Sequence, residues 1–415
     1  MSATNTDVLS EQISVDTSQT STKSKLWPAT FLISGTCIGG GMLALPVQLA
    51  EAGFGLSLLG LMLCWAFMTY TGLLLVEATL WVKNEAHFSS LSRILIGNWA
   101  KVIALVVYLF MNYVSLIAYT AGGVSLVSSW AKSLSGVSID YIHGCFGFTV
   151  VFGLVVYLGA VFVGKFNALL MGVLIAAYFG LVSMGIGMVE ANNLTFKFGI
   201  KEGLGIFSMI LATFSYQMVV PSVCSYLKYD AQTLKKAVLM GTTIPFVTYA
   251  LWLLVIHGAI ALDGEHGLRQ AWLDGASATT SLRAKFNHWS LIVFVDMFAF
   301  LALLTSYLGL SLALFEFLRD CLREIKITLS RNMIFILTFV PVAVLASLYP
   351  RALIQCLDIS GGYGDTILSG MIPALMVWYG RYKKKLTGSF TVPGGKVGLI
   401  ASFIFFFAIL VLQHY

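Results

Sequence analysis

Scanned for runs of apolar residues, the chain divides into eleven long blocks separated by polar, charged or Gly/Pro-marked breaks. Their limits are 28–50, 54–81, 99–130, 141–163, 166–189, 203–225, 236–262, 288–319, 332–349, 352–379 and 396–413. Most are apolar all round rather than on one stripe, the pattern of helices surrounded by lipid or by other helices. Each is close to or above the roughly 20 residues that a bilayer crossing requires. The eighth is long enough to tilt or to project past the membrane. Residues 1–25 are rich in Ser, Thr and Gln and have no apolar run. They lack the apolar core of a signal sequence, and the expectation is a disordered tail on the cytoplasmic side.

Two blocks depart from the pattern. The first carries Gly35-Thr36-Cys37-Ile38-Gly39-Gly40-Gly41 and then Pro46. Four glycines inside a helix each cost about 1 kcal/mol relative to alanine, so a continuous helix is disfavoured there. The sixth carries Thr213-Phe214-Ser215-Tyr216-Gln217 and then Pro221. Close packing of small residues accounts for glycines in one membrane helix, but not for breaks at matching positions five blocks apart. Because the two blocks are five apart, the chain enters the second break from the opposite side. That arrangement is a five-plus-five inverted repeat with discontinuous helices 1 and 6 around a central site. The repeats are expected at 26–190 and 203–379, with an extra span at 396–413.

Composition agrees: 58% of residues are apolar and 11% charged. A soluble domain carries about 25% charged residues to wet its surface, so the solvent for most of this chain is the lipid bilayer. Soluble enzymes, nucleic-acid binders and secreted disulfide scaffolds are excluded. The six cysteines are scattered, without CxxC or metal-ligand spacing. With the N-terminus inside, Lys132, Lys197, Lys201, Arg269, Arg283, Lys285 and Arg351 fall outside, and the other eighteen of the 25 basic residues fall inside. The positive-inside rule therefore places the N-terminus in the cytoplasm and, with an odd number of spans, the C-terminus outside.

Four motifs carry a resemblance. Gly35 through Pro46 resembles the first-span signature of the bacterial aromatic amino acid permeases. Leu74-Leu75-Val76-Glu77-Ala78, Ser306-Tyr307-Leu308-Gly309-Leu310 with Leu314-Phe315-Glu316-Phe317-Leu318, and Gly361-Gly362-Tyr363-Gly364-Asp365-Thr366-Ile367-Leu368 are similar to further motifs of that family. The match covers about 27–410, and the tyrosine-transporting members look closer than the tryptophan-transporting ones. The resemblance implies an all-α membrane protein with eleven spans and the leucine-transporter fold. It also implies uptake of aromatic amino acids across an inner membrane by cation symport, with no cofactor. One departure stands out: the family's Phe-His-Gly-like run at the sixth-span break is Tyr216-Gln217-Met218 here, which leaves the exact substrate open.

A zwitterionic substrate brings a carboxylate and an ammonium. The first block holds no Lys or Arg, so unwound N–H groups at Gly39, Gly40 and Gly41 are the expected carboxylate partners. Carbonyls freed near Thr213 and Phe214, together with Thr36, are expected to meet the ammonium. Candidates for an aromatic pocket are Asn112, Tyr113 and Tyr119 in the third block, Phe214, Tyr216 and Gln217 in the sixth, and Tyr307 in the eighth. Gln217 or Asn112 would satisfy a phenolic hydroxyl. For the coupling ion two readings stand. Protons, which the family favours, would use an intramembrane carboxylate, with Asp296 the leading carrier ahead of Asp358, Asp365 and Glu77. Sodium would use oxygens of Gly35, Ile38, Ala302, Thr305 and Ser306, in the spacing of a sodium site of the wider fold. A channel would need a continuous polar pore lining and a membrane enzyme a catalytic cluster; the sequence shows neither.

Overall fold

The computed structural model describes residues 25–83, 87–194, 205–285, 289–324 and 326–414. Apart from Lys25, the tail expected at 1–25 lies outside them. The first block is two helices, α1 (Leu26–Cys37) and α2 (Gly41–Gln48), which meet at 52°. Then come α3 (Gly53–Val82), a short α4 (Phe88–Leu95), α5 (Asn98–Ser135), α6 (Tyr141–Tyr157) and α7 (Ala160–Ile186). The sixth block is again divided, into α8 (Ile206–Thr213) and α9 (Val220–Tyr226). After α10 (Ala231–Ala259) the loop expected at 263–287 contains two short helices, α11 (Leu268–Asp274) and α12 (Ala278–Lys285). The chain continues through α13 (Trp289–Glu324), α14 (Arg331–Leu348), α15 (Ala352–Ile359), α16 (Ile372–Trp378) and α17 (Gly395–Leu412).

Eight helical stretches among the described residues are long and apolar enough to cross a bilayer, and the bent α1–α2 pair makes a ninth. Two of the eleven predicted blocks fall short of that measure for local reasons. The fourth forms a helix of only 17 residues. The tenth is interrupted between α15 and α16 by twelve residues of π-helix, Ser360–Met371. Three glycines in Ser360-Gly361-Gly362-Tyr363-Gly364 let that segment lie hard against its neighbours: Gly361 meets α8, Gly362 the Gln413 side chain and Gly364 Met111 of α5. A Cβ on Gly361 would sit 1.8 Å from the Ser208 carbonyl oxygen. The Thr366 hydroxyl donates to the Gly361 carbonyl five residues back, at 3.1 Å, closing one wide turn.

The π-turns change which way the acids point. A regular α-helix would put Asp358 and Asp365 on one face, the expectation from their seven-residue gap. A π-turn takes more residues than an α-turn, so the two diverge. Asp358 accepts a hydrogen bond from Gln413 of α17 at 2.8 Å. Asp365 instead lies beside Ser215 and Cys37, at the two breaks.

A buried ion pair closes one end of the bundle. Arg381, just past α16, donates to Glu77 of α3 through Nε at 2.7 Å and Nη2 at 2.6 Å. The Val392 N–H also reaches Glu77, at 2.7 Å. With Glu77 1% exposed, the carboxylate ties α3 to the segment leading into α17. On the other side, Arg269 pairs with Glu51 at 2.6 Å, and Trp272 Nε1 donates to Gln48 at 3.0 Å. These contacts hold α11 against the end of α2.

Candidate functional site

The two breaks face each other, and one side chain joins them. The Tyr249 hydroxyl of α10 lies 2.6 Å from the Cys37 carbonyl and 3.0 Å from the Thr213 carbonyl. These are the last residues of α1 and α8, whose carbonyls have no partner in their own helix. They also sit at the negative ends of the helix dipoles. Further along the same face of α10, Trp252 Nε1 donates to the Met42 carbonyl and His257 Nε2 to the Pro46 carbonyl, each at 2.9 Å. This row reads α2 as a line of backbone acceptors. Sequence analysis singled out neither Tyr249 nor Trp252. Their spacing of three puts both on one face of α10, but nothing local in the sequence says that this face meets the first break.

On the opposite side the glycine run is tightly packed. The Gly40 N–H donates to Ser306 Oγ of α13 at 2.9 Å, and the Tyr119 hydroxyl lies against Ser306. A Cβ on Gly39 would fall 2.0 Å from Ser306 Oγ, one on Gly40 2.7 Å from the Tyr119 ring, and one on Gly41 3.1 Å from Thr213. The structure thus brings Gly39, Gly40, Gly41, Thr213, Tyr119 and Ser306 together. Donors at a positive helix end and acceptors at negative ends lie within one small region. The Gly40 N–H is met by the Ser306 hydroxyl, and the Cys37 and Thr213 carbonyls by the Tyr249 hydroxyl.

Other predicted site residues are placed elsewhere. Thr36 is exposed, and its hydroxyl bonds back to the Leu32 carbonyl at 2.7 Å, so it does not face the break. The Tyr113 hydroxyl donates to the Leu337 carbonyl of α14 at 2.8 Å. Asn112 is buried but donates to the Tyr108 carbonyl of its own helix at 2.8 Å. Phe214 is fully buried with its ring edge-on to Tyr249, centroids 5.4 Å apart. Tyr307 is likewise buried, edge-on to Phe148 at 5.3 Å, away from the glycine run.

Tyr216 and Gln217 turn toward α3. The Tyr216 hydroxyl donates to the Met68 carbonyl at 3.0 Å, and Gln217 Nε2 lies 3.3 Å from both that carbonyl and Thr71 Oγ1. Gly72 makes room for the ring: a Cβ there would be 1.9 Å from the Tyr216 oxygen. The Gln217 amide is therefore spent on holding the break to α3, and is not presented to a phenolic hydroxyl.

Of the ion-coupling candidates, Gly35 and Ile38 flank the end of α1, while Thr305 bonds back to the Ala302 carbonyl at 3.2 Å. Asp296 is matched rather than isolated: Arg283 lies 3.1 Å away and Trp130 Nε1 donates to it at 2.8 Å. Asp365 is different. It is 1% exposed, its Oδ1 accepts from Ser369 at 2.9 Å, and its Oδ2 has no hydrogen bond of full geometry among the described residues.

Among the described residues, an all-helical fold with eight or nine stretches apolar and long enough to cross a bilayer, two of the helical blocks broken at facing points, defines a multi-pass membrane protein. The chain belongs to the tryptophan/tyrosine permease family, whose model matches residues 22–414. It is 30% identical to the tyrosine-specific transport system 1 of Haemophilus influenzae over 378 residues, 90% of this chain and 92% of that protein. It is also 30% identical to the tyrosine-specific transport system 2 of the same organism, covering 92% and 94% of the two chains. The tryptophan-specific transport protein of Shigella flexneri is 27% identical, covering 91% and 92%.

Proposed function

We propose that this chain is a secondary active transporter that imports aromatic amino acids, tyrosine foremost, together with a cation. The observation that carries the proposal is the pair of helix ends joined by Tyr249, with the Gly40 N–H opposite. The substrate ammonium takes the Cys37 and Thr213 carbonyls, and its carboxylate takes the N–H groups of the glycine run. A charged ligand is held without a buried counter-charge. That the relatives are tyrosine- and tryptophan-specific transport proteins supports the aromatic class.

The scheme has eleven crossings: a five-plus-five inverted repeat and α17. The packing supports this. Under the repeat, the pairing of α1 with α10 corresponds to that of α8 and α9 with α3, and the pairing of α7 with α13 to that of α5 with α15. All four pairings occur. The pairs α3–α10, α5–α13 and α6–α14 map onto themselves, and these are also in contact. Positive charge places the N-terminus inside and the C-terminus outside a bacterial inner membrane.

Protons are favoured over sodium as the coupling ion. Of the two hydroxyls a sodium site needs, Ser306 Oγ already accepts from the Gly40 N–H, and Asp365 supplies at the breaks a buried carboxyl group without a cationic partner among the described residues. Uptake of labelled tyrosine into vesicles holding the purified chain tests the reading, with unlabelled phenylalanine, tryptophan, leucine and glutamine as competitors. Aromatic competitors should suppress uptake far more than leucine or glutamine. Equal suppression by leucine would replace the aromatic reading with a broad neutral amino acid transporter.

A further inference from the structure

We propose that Asp365 is the residue that takes the coupling proton, and that only its neutral form lets the broken ends of α1 and α8 close on each other. The inference rests on the transport reading above and deepens it. Asp365 occupies the π-helical segment that lies hard against α8. Its carboxyl group is next to the Ser215 hydroxyl from the sixth-block break and, from its own segment, Ser369; the Cys37 thiol at the end of α1 and the Tyr119 hydroxyl of α5 lie within electrostatic range. No cationic side chain of the described residues is among them. Two of the other candidate acids have cationic partners, Glu77 in Arg381 and Asp296 in Arg283. Asp358 has only the Gln413 amide and an Oδ1 that is likewise unpartnered among the described residues, but it is half-buried against the end of α17 and is not among the groups at the breaks.

A lone carboxylate sealed among neutral groups is unstable unless it is protonated or hydrated. Protonation changes what Asp365 can do. The neutral carboxyl needs no water, and its O–H can donate to an acceptor at the break. The ionised form demands water, and therefore an open site. The cycle follows. When the site is open to the outside, an O–H bond forms on one carboxylate oxygen with a proton delivered by water. The neutral acid lets the breaks close over the substrate. When water enters from inside, that O–H bond breaks and the proton leaves with the substrate. Proton and amino acid move together because the closed state accepts both.

The full-length chain and its Asp365→Asn and Asp365→Glu variants, reconstituted in vesicles, test this in two measurements. One is accumulation of labelled tyrosine driven by an inward proton gradient; the other is exchange of labelled for unlabelled tyrosine at equal pH. Asp365→Asn should still exchange, because its amide is permanently neutral, while gradient-driven accumulation falls by about ten-fold or more. Asp365→Glu should restore part of that accumulation. Accumulation by Asp365→Asn at the wild-type level overturns the proposal. Loss of exchange and accumulation in both variants also overturns it, since that marks a structural role. Wild-type uptake driven by sodium and indifferent to the proton gradient overturns it while leaving the transport reading intact. Absence of any wild-type tyrosine uptake or exchange is a separate result and refutes the transport reading itself.

Discussion

Replacing Tyr249 by Phe removes one oxygen and leaves the ring in place. The ring keeps its edge-on contact with Phe214 at 5.4 Å, so packing is preserved and the change isolates the hydroxyl. That hydroxyl has one proton for two carbonyls, and the 2.6 Å contact to Cys37 is shorter than the 3.0 Å contact to Thr213. The variant therefore loses one strong hydrogen bond and leaves two buried acceptors at the helix ends. Leaving a buried acceptor unsatisfied costs about 1–3 kcal/mol. If the substrate ammonium takes the same carbonyls, the bound state recovers part of this loss and the empty state does not. Tyr249→Phe should thus lower the thermal stability of the empty protein, and added tyrosine should protect it more than it protects the wild type. The differential corresponds to roughly 5- to 150-fold in the equilibrium between closed and loosened states. Thermal unfolding in detergent, with and without saturating tyrosine, reads both effects. An unchanged melting temperature would refute the reasoning, as would a drop that ligand does not narrow.

Gly40→Ala places a methyl group 2.7 Å from Tyr119 and 2.9 Å from Leu303; overpacking of about 1–3 kcal/mol should abolish uptake while the protein still reaches the membrane, checked by transport and membrane immunoblot. Gln217→Ala should reduce tyrosine and phenylalanine uptake equally, because its amide is committed to Met68 and Thr71; kinetics with both substrates decide, and a tyrosine-selective loss would return Gln217 to the phenol. Glu77→Gln strands the Arg381 guanidinium in a buried setting, at a cost of about 3–5 kcal/mol, and should sharply lower the melting temperature; removing both charges with Glu77→Gln and Arg381→Met should recover part of it.

The elements legible in the sequence are those set by local chemistry. The Gly35–Gly41 run and the Thr213–Gln217 stretch with their following prolines mark both breaks, because glycine cost and proline geometry act within a turn or two. The structure divides the chain at 38–40, inside the first stretch, and at 214–219, which begins in the second stretch and runs two residues past it. What eluded the sequence depends on partners distant along the chain. Asp296 reads as an unmatched intramembrane acid until α12 brings Arg283 to it. Asp365 reads as one acid among several until the π-turns carry it to the breaks. Gln217 reads as a pocket residue until α3 presents Met68 and Thr71. Tyr249 lies in a block with no break of its own, and nothing local distinguishes it from other membrane tyrosines.

The central claim is that substrate binds between the two breaks, and photo-crosslinking addresses it most directly. A light-activated aromatic amino acid, bound to the purified full-length chain and competed by excess tyrosine, is activated and the labelled peptides are mapped by mass spectrometry. The account predicts tyrosine-protected labelling within 36–43 and 213–217, with Tyr249 the next residue reached. Protected labelling confined to the third block around 108–113, with none at either break, would contradict it.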